Sequence, residues 1–244
     1  MTRAEMHTEF KLLMDKSGEG GSPSFLASEI DSFLNIAQEK FISKRAFGNN
    51  PRRTSFEENQ KRRDDLRNLI SNEAITSFVT DLTASKPNGV FALLPNDYRH
   101  SINEEATIYT GDNSTATRRV SVKPITHDRY NKIINDPFNK PDKDTVYRLD
   151  FGLLATDEVV ETEEGEEINS VTNSYFELIC GDGQTVSSYI LRYIKTPTKI
   201  AQDSACILAT HTHKELVKMA VVDALENVEQ PRYQSSKIEL NEIE

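Results

Sequence analysis

Apolar residues recur at helical spacing near both ends of the chain and in short β-type runs between them. Residues 3 to 15 predict a short helix, with Met6, Phe10, Leu13 and Met14 near a 3.6-residue period. A second helix is expected from about Ser24 to Ala46. There Leu26, Ile30, Phe33, Leu34, Ala37 and Phe41 form a stripe wide enough to demand burial, and Gly48, Asn49, Asn50 and Pro51 end it. The stretch SGEGGSPS, residues 17 to 24, predicts a flexible connector. Its glycines lack the Lys-Ser/Thr ending and the preceding strand that a phosphate-cradling loop needs. A third helix is expected over residues 54 to 70, started by a Ser55/Glu58 capping box. On a continuous helix Phe56, Leu66 and Ile70 share one face, and Arg63 falls in the middle of it.

From residue 75 to about 200 the period shortens to that of strands. The candidate strands are residues 75–80, 89–94, 106–110, 117–122, 145–155, 174–180 and 187–195. GDGQ, residues 181 to 184, suggests a hairpin turn between the last two, and a short helix is expected around His127 to Ile134. Residues 157 to 167 hold seven acids and no base, and read as a solvated loop or hairpin tip. A closing helix is expected from Thr212 to Asn227, with a Thr212/Glu215 capping box and an apolar face directed at the second and third helices. Pro231 ends it. The remaining residues form a polar tail in which Ile238 and Leu240 stand at strand spacing, with Ile243 beyond, as expected of an arm that is free until it docks. The fold class is α+β: N- and C-terminal helices packed together, with a central, mainly antiparallel β section. The expected division is a helical region 1–74, a β-rich region 75–204, and a closing helix and tail 205–244.

Charge narrows the function. The chain of 244 residues carries a formal net charge of -10, which opposes bulk affinity for nucleic acid. The run KRRDDLR, residues 61 to 67, is locally basic, but Glu57 and Glu58 stand at i,i+4 from Lys61 and Arg62, and Asp64 lies within reach of Lys61 and Arg67. Arg63 is left over, and is expected to pair with a neighbouring helix or subunit. Arg63 and Arg67 are therefore taken as subunit-interface residues, together with Ile238, Leu240 and Ile243 of the tail. Cys180 and Cys206 lie in apolar surroundings and read as reduced thiols. The N-terminal stretch has no signal-peptide core, and the longest apolar run, residues 90 to 94, is too short to span a bilayer.

No reaction chemistry emerges. His211 and His213 share an H-x-H spacing, but no Cys, Asp or third His stands nearby to complete a metal site. His127 precedes Asp128 without a nucleophile motif, so Thr126 or Asp128 is expected to cap the short helix. The expectation is a non-enzyme with no cofactor and no metal. Two other readings are a nucleic-acid-associated regulator using residues 52–67, and a metal-dependent hydrolase using His127, His211 and His213.

Three stretches carry a resemblance: EIDSFLNIAQEKFISKRAFGNN with SFEENQKRRDDLRNLI, VKPITHDRYNKIINDPFNKPDKDTVYRL, and YIKTPTKI with ACILATHTHKELVKMAVVDALENVEQPRYQ. In this order they resemble structural proteins of short-tailed bacteriophages, particularly the tail ring proteins of crAss-like phages. More loosely they are similar to the tubular and gatekeeper proteins of head-to-tail connectors. The pattern has a Leu-Pro before the closing helix, where this chain has Leu208 and Ala209. The resemblance implies a virion protein assembled in the host cytoplasm. It implies copies joined in a ring, a dodecamer, stacked with the portal protein and other tail rings. DNA would pass through the lumen without specific binding, and no membrane is involved.

Overall fold

The computed structural model describes residues 1–15, 25–48, 56–80, 86–110, 117–162, 165–228 and 233–241. The 17–24 connector, Ser55 of the expected capping box, Pro231 and Ile243 lie outside them. The chain divides into two compact units, Met1–Ile70 with Thr196–Glu244, and Ser71–Lys195.

The first unit is helical. α1 (Arg3–Asp15) turns Met6, Phe10 and Met14 inward, and α2 (Ala27–Phe47) buries Ile30, Leu34, Ala37 and Phe41 at helical spacing. The Phe10 ring stacks on Phe33 with centroids 6.3 Å apart, and Phe25 meets Phe10 edge-on at 5.9 Å. Glu29 returns its carboxylate to the Leu26 N–H (2.7 Å) at the start of α2, and the Gly48 N–H closes onto the Lys44 carbonyl (2.8 Å). α5 (His213–Asn227) packs on α2 and α1 through Leu216, Val217, Ala220 and Ala224. The returning segment is held to α2 by side chains. Asn35 exchanges two hydrogen bonds with the Ile200 backbone (2.8 and 3.0 Å), and Gln38 donates to the Thr198 carbonyl (3.0 Å).

Three expectations about this unit are corrected. Residues 56 to 70 do not form one helix: a 3₁₀ turn (Phe56–Glu58) precedes α3 (Gln60–Leu66), and a second turn (Arg67–Leu69) leads into strand β1 (Ile70–Ile75). Asn59 is the N-cap, and its side chain accepts the Arg62 N–H at 3.4 Å. The Thr212/Glu215 capping box is also absent. The Thr212 hydroxyl donates to the Ala209 carbonyl (2.8 Å), and the Glu215 carboxylate is occupied by Arg45. The tail is helical, not strand-like: α6 (Tyr233–Asn241) packs on α5.

The second unit is an eight-stranded sheet in the order β1-β8-β4-β5-β6-β7-β3-β2. Its strands after β1 are β2 (Phe78–Val79), β3 (Gly89–Leu93), β4 (Tyr98–Thr110), β5 (Thr117–Ile125), β6 (Thr145–Thr162), β7 (Gly165–Ile179) and β8 (Gln184–Lys195). β5 and β6 run parallel because α4 (His127–Ile134) lies in the crossover between them, and the other neighbours whose registers are resolved run antiparallel.

GDGQ does form a turn, with Gly183 at φ 72° and the Gln184 N–H on the Gly181 carbonyl (3.2 Å), but the strands it joins do not pair. In a flat sheet β7 and β8 would stand about 19 Å apart, at roughly 4.8 Å per strand spacing. Four linking residues in a tight turn cannot cover that distance. The sheet is therefore rolled. Tyr98 of β4 meets Phe176 of β7 edge-on at 5.4 Å across the interior, and Tyr193 of the neighbouring β8 at 5.8 Å. A single apolar cluster, including Ala106, Val120, Val146, Leu178 and Leu191, fills it. The outer side of β6 and β7 carries a smaller core in which Tyr130 of α4 packs on Tyr147, Leu149 and Ile179.

The acidic stretch belongs to a hairpin far longer than its tip. β5 covers β6 only along Thr145–Leu149, and β3 covers β7 only along Tyr175–Ile179. From Leu153↔Ser174 to Thr162↔Gly165, β6 and β7 pair with each other alone among the described residues. At about 3.4 Å per residue this ribbon is roughly 30 Å long. An irregularity between Asp150 and Gly152, with Gly152 at φ 84°, marks where it leaves the sheet.

Candidate assembly surface

The buried arginine of the helical unit is Arg45, not Arg63. Its guanidinium lies 2.9 Å from Asp65 of α3 and makes a forked pair with Glu215 of α5 (2.8 and 2.9 Å). It also stands 5.0 Å from the Phe41 ring centroid. Arg45 and Asp65 are both 4% exposed. His211 adds a bond to the other oxygen of Asp65 (2.8 Å). Helices α2, α3 and α5 are thus tied at one charged point, and the orientation of α3 follows from it. The sequence held a signal for this: Arg45 continues the stripe Ile30, Leu34, Ala37, Phe41 at the next helical position.

With Asp65, Leu66 and Leu69 turned inward, Arg63 and Arg67 are exposed. The expectation that Arg63 sits in the apolar face fails because the break at Asn59 rephases the segment. Among the described residues neither arginine makes an ion pair. Ile238 of α6 is 61% exposed. Leu240 shares that helix, and Ile243 lies outside the described residues. The structure therefore places Arg63 and Arg67 on one segment and Ile238 on another.

The histidines are engaged locally. His213 is buried, with Nε2 donating to the Leu208 carbonyl (3.0 Å) and Nδ1 facing the Met1 ammonium (2.9 Å). Burial, first among several causes, holds its pKa below the ordinary histidine value. His127 reaches the Asp150 carbonyl (2.7 Å) rather than a carboxylate. His7 and Arg3 share Asp31 (2.7 and 2.6 Å), and the Arg3 hydrogen bond lowers that carboxyl below its usual range. Among the described residues no group of three His, Cys, Asp or Glu is placed to hold a metal ion. Burial pushes the Cys180 thiol up to about 12, so it carries no thiolate at neutral pH.

Two buried acids escaped sequence reasoning. Glu104 accepts the Tyr189 hydroxyl (2.9 Å) and pairs with Arg148 (3.2 Å), whose guanidinium lies 4.1 Å from the centre of the Phe176 ring inside the rolled sheet. Glu177, fully buried in β7, accepts the Lys86 N–H, and burial raises its pKa. Gly89 makes room for it, since a Cβ there would stand 2.6 Å from the Glu177 carboxylate. A lone acid in the apolar run YFELIC was the available signal. These acids serve packing and register, and none is paired with a nucleophile.

The α+β chain thus exposes Arg63 on α3 and extends a two-strand ribbon beyond its sheet. Residues 1–234 match the phage tail ring protein 3/4 family, and the chain belongs to that family. It is similar to "Ring protein 3" of Bacteroides phage crAss001, with 25% identity over 241 residues covering 91% of this chain and 94% of the relative. The role that follows is structural, in a ring of the phage tail.

Proposed function

We propose that the chain builds a closed ring of the head-to-tail connector, below the portal, through which the genome passes. The observation that carries this is the family match over residues 1–234. In this reading the ring is a dodecamer, touching the portal protein and other tail rings. Its copies meet through surfaces that include Arg63 and Arg67, and the segment bearing Ile238, Leu240 and Ile243 holds a neighbouring chain. The protein performs no reaction and grips no DNA: a net charge of -10 leaves the passing duplex repelled rather than bound. Head-to-tail repetition of one interface closes such a ring without symmetric pairs.

Mass photometry and electron microscopy of the purified chain, alone and with its portal, test the reading. Closed rings or rings nucleated on the portal are expected. A chain that stays monomeric under both conditions overturns it. Salt-sensitive DNA binding that disappears in Arg63→Ala would instead support a nucleic-acid regulator.

A further inference from the structure

The ribbon that β6 and β7 form beyond the sheet has two chemically different halves. Its outer half, from Asp157↔Ser170 to Thr162↔Gly165, and the tip beyond hold all seven acids of residues 157–167. Its inner half, from Leu153↔Ser174 to Thr156↔Val171, contains no charged residue and no proline. In an antiparallel pair every second residue of each strand turns its N–H and C=O away from the partner strand. Among the described residues no strand pairs with those groups on either edge of the ribbon. Natural sheets commonly blunt an open edge with charge or proline. The outer half is blunted by its acids, and the inner half has neither device.

The two edges are different from each other. One belongs to β6 and the other to β7, and these strands run antiparallel. A head-to-tail ring needs two different, complementary surfaces on every copy. Copies related by rotation about a ring axis hold their ribbons in one orientation. The β7 edge of one copy therefore meets the β6 edge of the next in the antiparallel sense, in which these two strands already pair within the chain. Backbone groups supply the bonds of such a contact, as they do when a strand is added to any open sheet edge.

We propose that β7 of one copy pairs with β6 of the next along the uncharged inner half, residues 171–174 against residues 153–156, joining the ribbons into one intersubunit sheet. This rests on the ring reading above and deepens it by naming one of its interfaces. Pairing that ran on to the tip would set acid against acid, and like charges facing each other across strands are destabilising. The acidic outer halves therefore stay apart between copies. A third strand supplies what a lone two-strand ribbon lacks in water. Closure of the ring leaves no inner edge open for further growth.

The test has two arms. In the first, residues 154–173 are replaced by Asn-Gly, a two-residue turn that closes β6 onto β7 at the base of the ribbon. The protomer should keep its melting temperature, and self-association should weaken by about 10-fold or more. In the second, full-length chains carrying Ala155→Cys under one tag are mixed with chains carrying Ser170→Cys, Thr172→Cys or Ser174→Cys under another, and oxidised. A cross-link joining the two tags, absent between wild-type chains, is expected in the ring fraction with at least one of the three. Rings of wild-type stability from the shortened chain would overturn the inference and leave the ring reading standing. A lowered melting temperature would place the ribbon in the protomer's own fold, and would overturn its edges as a subunit contact. Rings of the full-length variants without any cross-link would overturn the pairing of ribbon with ribbon. A wild-type chain that never associates would overturn the ring reading itself, and this inference with it.

Discussion

Arg45 can stay buried only while both of its acids stay with it. Removing it leaves Asp65 and Glu215 facing each other with the loss of a shared cation. Breaking such a pair costs ~3–5 kcal/mol, so Arg45→Met should lower the unfolding free energy by about that much in urea titrations. Arg63→Ala, at an exposed position, should stay within about ±0.5 kcal/mol in the same assay. The contrast shows what periodicity can and cannot reveal. The sequence reading passed over Arg45, although α2 is one unbroken helix and its stripe continues to that position. Arg63 was misplaced, because a 100° wheel assumes continuity and Asn59 ends it.

Glu177 makes a prediction about pH. Burial raises its native pKa above the ordinary carboxyl value, so the folded state holds the proton more tightly than the unfolded state. Stability contributed by the protonated form is present below the unfolded pKa and is lost as pH rises through the folded value. Glu177→Gln keeps a neutral side chain at every pH. Its stability relative to wild type should therefore rise between pH 4.5 and neutrality, measured by denaturant unfolding at each pH. A difference that is flat or falls across this range would show that the Lys86 contacts, and not burial, set the charge state of Glu177.

At the scale of elements, the reading succeeded where the pattern is local and failed where pairing is remote. α1, α2, α4 and α5 were visible from spacing, as was the β character of residues 75 to 195. The partners of the strands were not. GDGQ looks the same whether it closes a hairpin or, as here, carries the chain between strands that meet only because the sheet is rolled. The acidic stretch, read as a solvated loop or hairpin tip, is the outer part of a much longer two-strand ribbon. An isolated ribbon is marginal in water, since each strand has one edge unpaired and no third strand behind it. Amides of Leu153 to Thr162 should thus exchange with solvent much faster than those of Val146 to Leu149, which lie between two strands. Hydrogen exchange on the free protomer reads this directly. Equal protection along the whole of β6 would mean that the ribbon is already covered in solution.

For the whole molecule, the α+β class and the packing of the terminal helices followed from the switch of period along the chain. The assembly surface did not follow in the same way. Subunit contacts leave no period of their own, and the family resemblance supplied the ring before any residue did.

The helical unit is also split in the chain: it opens with Met1–Ile70 and is completed only from Thr196 onward. On the ribosome, α1 and α2 therefore emerge long before α5. The intervening residues 71 to 195 take roughly 6 to 25 s to synthesise at about 5–20 residues per second. Throughout that interval Ile30, Leu34, Phe41 and the inner side of α1 have no α5 to cover them, whereas the β unit has all its strands by the end of it. The nascent chain thus presents a sticky amphipathic pair of helices beside a domain that is free to fold. That pair needs shelter until α5 arrives, a demand set by the order in which the chain is made.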